Sequence, residues 1–264
     1  MKKLFNIVIL TYILFVAVLF VAQRSLIYHP DTSRPAPIAG VEIVKVTASD
    51  DQKLEAWYFP PKSADKKVIV FFHGNSGHYG HRLYKVQNYM NAGYGVLLAG
   101  YRGYGGNLGK INEQGFYNDG RAYIDWLLSF KSVASRRIVL YGESIGSGTA
   151  VKMASEYNIG GLILEVPFAS LLEVASQKYS IVPVKYLLKD KFMNIDMIAD
   201  VNVPLLILHG DMDRVIPISS AKKLFDAAMQ PKEFVSFPQG KHNNLYDFGA
   251  SSYVLDFLAG INTL

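Results

Sequence analysis

The stretch RIVLYGESIGSGTA (137–150) sets a short apolar run, RIVLY, directly ahead of a G-x-S-x-G pattern formed by Gly142, Ser144 and Gly146. In a chain with 22 glycines the spacing can arise by chance, so the five letters decide little alone. Their setting decides more. Apolar run, turn and helix-compatible segment follow one another, the context in which a serine is presented on a sharp strand-to-helix turn. Gly142 and Gly146 remove side chains where strand and helix backbones converge, and Gly148 with Ala150 keeps the approach close. The first N–H groups of the helix, and its positive dipole end, then lie beside Ser144.

Outward from this point the chain alternates strand and helix signals. KVIVFFH (67–73), GVLLAG (95–100), RIVLY (137–141), GLILE (161–165) and PLLILH (204–209) are apolar without alternation, as expected of strands covered on both faces. Residues 41–47 and 54–59 read as an antiparallel pair that precedes them, and EFVSF (233–237) as a last strand. Helices are expected over 81–91, 117–130, 146–157, 219–229 and 251–258. Such alternation implies an α/β fold with a mostly parallel, doubly wound sheet. Between Glu165 and Pro204 the rhythm breaks, and short helices are expected to form a small cap over 166–203. Val182, Val184, Tyr186, Leu187 and Leu188 are candidates to line an apolar pocket there, or to pack within the cap.

The chain has 264 residues, half of them hydrophobic, and no cysteine. That length suits one large domain. The lack of cysteine excludes disulfides, a thiol nucleophile and thiolate metal sites. Of the net charge of +5, residues 1–40 carry +3, through Lys2, Lys3, Arg24 and Arg34 against Asp31. The remainder shows no basic stripe with interleaved aromatics, so a nucleic-acid partner is set aside.

LFNIVILTYILFVAVLFVA (4–22) runs without a charge, and at about 1.5 Å per residue it is long enough for a bilayer core. A cleaved signal peptide has a shorter apolar region and a small-x-small end, where this chain has Phe20. The reading is therefore an anchor over 1–28, a proline-punctuated linker over 29–40 and a catalytic domain over 41–264. The basic pair Lys2 and Lys3 places the N-terminus in the cytoplasm and the domain outside it. Secretion after cleavage, or a domain facing the cytoplasm, are the alternatives.

Ligands in open α/β sheets sit beyond the carboxyl ends of the strands. A serine hydroxyl needs a base, and the base a carboxylate to orient it. HGDMDRVIP (209–217) offers Asp211 and Asp213 after one strand, and GKHNNLY (240–246) offers His242 after the last. Asp213 is preferred, because Asp211 directly follows His209 and Gly210 and suits the turn. Donors for an oxyanion are expected from the backbone N–H of Ile145 and, after the first central strand, of Asn75. Ser76 lacks a strand-to-helix turn and is a decoy.

The pieces HGNSG, YRGYGGNLGKINEQG, GESIGSG, HGDMDRVIP and GKHNNLY, in this order, make the domain from about residue 40 onward resemble the α/β-hydrolase superfamily. In detail they are similar to its membrane-tethered branch near the serine aminopeptidase-like hydrolases and the depalmitoylating α/β-hydrolase-domain proteins. The resemblance implies Ser144 as nucleophile, Asp213 as acid, His242 as base, and Asn75 and Ile145 as oxyanion donors. It implies a serine hydrolase of esterase, lipase or thioesterase type that needs no metal or organic cofactor and acts on an acyl ester or lipid-like substrate. A peptidase, an amidase, an acyltransferase or a silent membrane-tethered binding protein would use the same scaffold. Gly100 replaces the family's usual Asp before Tyr-Arg-Gly-Tyr-Gly, and Asn107 stands near a usual Ser. The cysteine-rich N-terminus of the depalmitoylases is absent.

Overall fold

The computed structural model describes residues 1–261. The strands are β1 Glu42–Thr47, β2 Lys53–Phe59, β3 Val68–Phe72, β4 Gly95–Ala99, β5 Ile138–Glu143, β6 Gly161–Glu165, β7 Leu205–Gly210 and β8 Lys232–Phe237. They form one eight-stranded sheet in the order β8-β7-β6-β5-β3-β4-β2-β1, parallel except where β2 pairs with β1 and β4. Every residue of β3 to β7 is buried, which is why these runs lack alternation.

Successive side chains leave the sheet on opposite faces. Val70, Phe72, Leu97 and Leu140 pack with helices α3 Glu113–Ser129, α4 Gly146–Glu156 and α7 Ile218–Ala227. Ile69, Phe71, Val96 and Tyr141 pack with α2 Leu83–Asn91 and α8 Ala250–Gly260. The fold is that of an α/β hydrolase.

Helix α3 starts four residues before the expected Tyr117. Asn112 caps it, its side-chain oxygen accepting the Gly115 N–H at 2.8 Å. Residues 29–40 are less irregular than their prolines suggest. His29–Pro30 pairs in parallel with Ser76–Gly77, because the Asn75 and Gly77 carbonyls accept the His29 and Asp31 N–H groups at 2.9 and 3.0 Å. The cap contains α5 Leu171–Lys178 and α6 Val184–Leu187. The N-terminal helix α1 spans Lys2–Ile27, longer than the uncharged run, and is long and apolar enough to cross a membrane.

The turn between β5 and α4 is tight. Ser144 takes φ +53°, in the left-handed region that a non-glycine residue occupies only when its surroundings hold it there. Gly146 lies against the end of β3, where an added Cβ would stand 2.1 Å from the Phe72 carbonyl oxygen. That neighbour is backbone and cannot swing aside. Gly146→Ala is expected to destabilise the fold by about 3 kcal/mol or more, a fall in Tm of roughly 6–12 °C. Gly260→Ala, whose Cβ meets nothing within 4 Å, is the matched control for the thermal melt.

Candidate active site

Ser144 sits at the carboxyl end of β5, its N–H donating to the Glu165 carbonyl at 2.9 Å. Asp213 follows β7 and His242 follows β8, the second and third strands from β5 in the sheet. The fold brings the three together. His242 Nε2 lies 3.0 Å from Ser144 Oγ, and His242 Nδ1 lies 2.7 Å from Asp213 Oδ2. The other carboxylate oxygen, Oδ1, accepts the Val215 and Ile216 N–H groups at 2.7 and 3.0 Å. Burial opposes the charge on Asp213, but the His242 contact and those two N–H groups outweigh it and hold its carboxyl below the usual range. An ionised Asp213 keeps the proton on His242 Nδ1, leaving the Nε2 lone pair for the serine proton. Asp211 is exposed, and its N–H donates to the Phe237 carbonyl, so it shapes the turn. Ser76 lies in the short pairing with residues 29–30.

Asn75 and Ile145 share a cavity with Ser144. Neither backbone N–H is engaged by another group among the described residues, so both are open to an incoming oxygen. The Asn75 loop is held from three sides. Its carbonyl accepts the His29 N–H and the Tyr104 hydroxyl, both at 2.9 Å, and its side chain donates to the Ile27 carbonyl at 2.7 Å. Asn107 organises the segment behind it, donating to the carbonyls of Glu55 and Gly100 and accepting the Glu55 N–H.

A buried charge cluster supports the turn, and the sequence reading did not single it out. Glu143 accepts from Arg82 at 2.7 Å, from Lys85 at 2.9 Å and from the Gly74 N–H at 3.1 Å. Lys85 also donates to Glu165 at 2.7 Å, and Glu165 accepts the Tyr141 hydroxyl at 2.7 Å. Burial disfavours the ionised Glu143, yet Lys85 and Arg82 overcome it and hold the carboxyl far below its usual range. The oppositely charged partners lie 58 to 80 residues apart in the chain, so no local spacing signals them. Nearby, burial lowers His73 to about 3, leaving it neutral.

Asp31, His78 and His81 bring one potential ligand atom each within 4.8 Å of one another. The two imidazoles stack at 3.7 Å, and Asp31 is already turned to Ser33, accepting from its N–H and hydroxyl. Hydrogen bonding of residues 29–31 onto the Asn75 loop accounts for the group.

Above Ser144 opens a cavity of about 540 Å³. Val182, Val184, Leu187 and Leu188 line it, whereas Tyr186 points to solvent. Its other wall comes from α1, through Val16, Leu19, Phe20, Gln23, Leu26 and Ile27. That wall was not foreseen, since a helix apolar on all sides shows no preferred face.

Residues 63–196 match the family model described as serine aminopeptidase, S33. The chain belongs to this family of α/β hydrolases. It is 36% identical over 228 residues to the protein Rv2307c of Mycobacterium tuberculosis, covering 84% of this chain and 81% of that one. The α/β hydrolase domain-containing protein WAV2 of Arabidopsis thaliana is 29% identical, over 90% of this chain and 87% of its own. Among solved structures, the Pyrococcus furiosus esterase Pf2001 superposes with a TM-score of 0.73 at 19% identity, covering 88% of this chain and 98% of the esterase. The serine aminopeptidase-like hydrolase therefore carries its Ser, Asp and His candidates on a shared scaffold.

Asp213→Asn tests the geometry sharply. Because Oδ1 faces two N–H donors, the amide must turn its NH₂ toward His242 Nδ1, which forces the proton onto Nε2. Turnover of an activated ester is expected to fall about 10⁴-fold with little change in KM.

Glu143→Gln leaves Arg82 and Lys85 short of an anion and is expected to cost about 3–5 kcal/mol in denaturant unfolding. The depressed Glu143 carboxyl stabilises the fold fully above the unfolded glutamate value of about 4.3, and that contribution is lost as pH falls further. The stability gap between wild type and variant should thus be constant from about pH 7 to 5 and narrow below about 4.3.

Proposed function

We propose that this hydrolase cleaves carboxylic ester or thioester bonds of apolar, lipid-like acyl compounds through an acyl-enzyme on Ser144. One observation carries the reading: a hydrogen-bonded line from Ser144 through His242 to Asp213, with spacings of 3.0 and 2.7 Å, at the floor of an apolar cavity.

His242 Nε2 takes the Ser144 proton as Oγ attacks the acyl carbonyl carbon. Asp213 stabilises the imidazolium that forms. The carbonyl oxygen becomes an oxyanion, received by the N–H groups of Asn75 and Ile145. The tetrahedral centre collapses, the bond to the alcohol or thiol breaks, and His242 returns the proton to that leaving group. Water, deprotonated by the same imidazole, then attacks the Ser144 ester, and as the acyl–Oγ bond breaks His242 returns the proton to Ser144 Oγ and the carboxylic acid leaves. Leucine, valine and isoleucine side chains around the cavity suit a hydrocarbon chain better than a polypeptide, which brings amide groups that would need partners. Helix α1 tethers the enzyme to a membrane, with Lys2 and Lys3 on the cytoplasmic side.

The full chain in detergent is expected to take a fluorophosphonate label that Ser144→Ala abolishes, and Ser144→Ala should lower nitrophenyl ester turnover about 10⁴-fold or more. Absence of label would favour a silent binding protein, and equal labelling of the variant would remove Ser144 as the nucleophile.

A further inference from the structure

The cavity is incomplete without α1, and the contacts that seat the helix are specific. Tyr12 Oη donates to the Ile181 carbonyl at 2.7 Å. Gln23 donates to the Leu187 carbonyl at 3.3 Å and accepts the Lys189 N–H at 2.8 Å. The Arg24 guanidinium grips Asp190 through two bonds, at 2.8 and 3.0 Å, and Lys189 Nζ lies 4.3 Å over the Phe20 ring. Tyr12, Val16, Leu19, Gln23 and Ile27 recur at helical spacing, so one stripe of α1 faces the cap. From Tyr12 to Gln23 this stripe runs roughly 16 Å. A tether would need no such seating.

The level of the contacts matters as much as their number. Tyr12 stands in the middle of the uncharged run, so a bilayer around that run also surrounds the cap tip at Ile181. The tip suits such a place. Ile181, which meets α1 at that level, is 70% exposed and apolar, and its carbonyl has its hydrogen bond from Tyr12. Non-helical backbone is tolerated at membrane depth only when satisfied in this way or lining a cavity.

We propose that α1 is the wall of the acyl-binding site, and that the acyl chain of a membrane-resident lipid ester slides between α1 and the cap, directly out of the leaflet, to reach Ser144. The proposal rests on the serine hydrolase reading and deepens it. The substrate class is a long-chain acyl ester dissolved in the bilayer, and Leu19 and Phe20 set how much chain the site accepts.

The test uses the full chain in phosphatidylcholine vesicles, with nitrophenyl butyrate and nitrophenyl palmitate as substrates. Leu19→Trp fills the stripe facing the cap while keeping the helix apolar. It is expected to lower the palmitate-to-butyrate rate ratio about tenfold or more. Leu14→Trp, exposed on the far side of α1, should leave the ratio within about twofold of wild type. Palmitate ester placed in the vesicles that carry the enzyme should be cleaved at least about tenfold faster than the same ester in separate, enzyme-free vesicles. If both tryptophan variants behave alike, or if separate vesicles serve equally well, the lateral route is wrong although butyrate cleavage and Ser144 labelling persist. If wild type neither cleaves butyrate nor takes a fluorophosphonate label, the hydrolase reading falls, and this inference with it.

Discussion

The site is organised by one close approach of backbones. Gly146 lies against the Phe72 and His73 carbonyls, nearer than any side chain permits. This approach fixes the first turn of α4 against the end of β3, and the connection from β5 must then pass through Ser144 with φ positive. A conformation of that kind costs a non-glycine residue about 1–3 kcal/mol, so it persists only where neighbours over-determine it. The Ser144 N–H on the Glu165 carbonyl and the Ser147 N–H on the Ser144 carbonyl, each at 2.9 Å, do so. The same contact brings the loop after β3 beside the serine. A single packing event thereby sets the Ser144 turn beside the loop that carries Asn75, and both line one cavity.

The Glu143 cluster has its reason in that geometry. Two cations and two anions taken out of water are a weak source of stability, and apolar residues of equal volume would pack there at less cost. They would, however, leave the Gly74 N–H without the Glu143 oxygen that accepts it. Glu143 precedes Ser144, and Gly74 precedes Asn75, so this bond locks the register between the Ser144 turn and the Asn75 loop. Arg82 and Lys85 hold the carboxylate ionised, which makes it an acceptor and never a donor at neutral pH. The cluster is better understood as a positional device than as a stabilising one.

Much of this was legible in the sequence because the relevant signals are local. Buried central strands announce themselves as unbroken apolar runs, and Ser144 and Asp213 stand just past the ends of two of them, whereas His242 follows the mixed edge strand β8. Boundaries moved where a side chain acted as a cap, as Asn112 does for α3. The cluster of Arg82, Lys85, Glu143 and Glu165 was not legible, since it depends on which strands become neighbours. Neither was the pairing of His29–Pro30 with Ser76–Gly77, where the prolines argue for irregular chain and the partner is found only in three dimensions.

Helix α1 shows the limit most clearly. Hydropathy describes it as a uniform apolar rod, and a uniform rod has no moment to say which side faces protein. Its orientation is decided instead by Tyr12, Gln23 and Arg24, residues that an average over the window treats as minor blemishes. Each carries a hydrogen-bonding group, and each finds a partner on the cap at Ile181, Leu187 and Lys189, or Asp190. Polar groups on an otherwise apolar helix are costly to leave unpaired, so they select one rotation about the helix axis and exclude the others. That rotation turns Val16, Leu19 and Phe20 toward Ser144. The residues that look least suited to a membrane segment are thus the ones that make its apolar side chains part of the site.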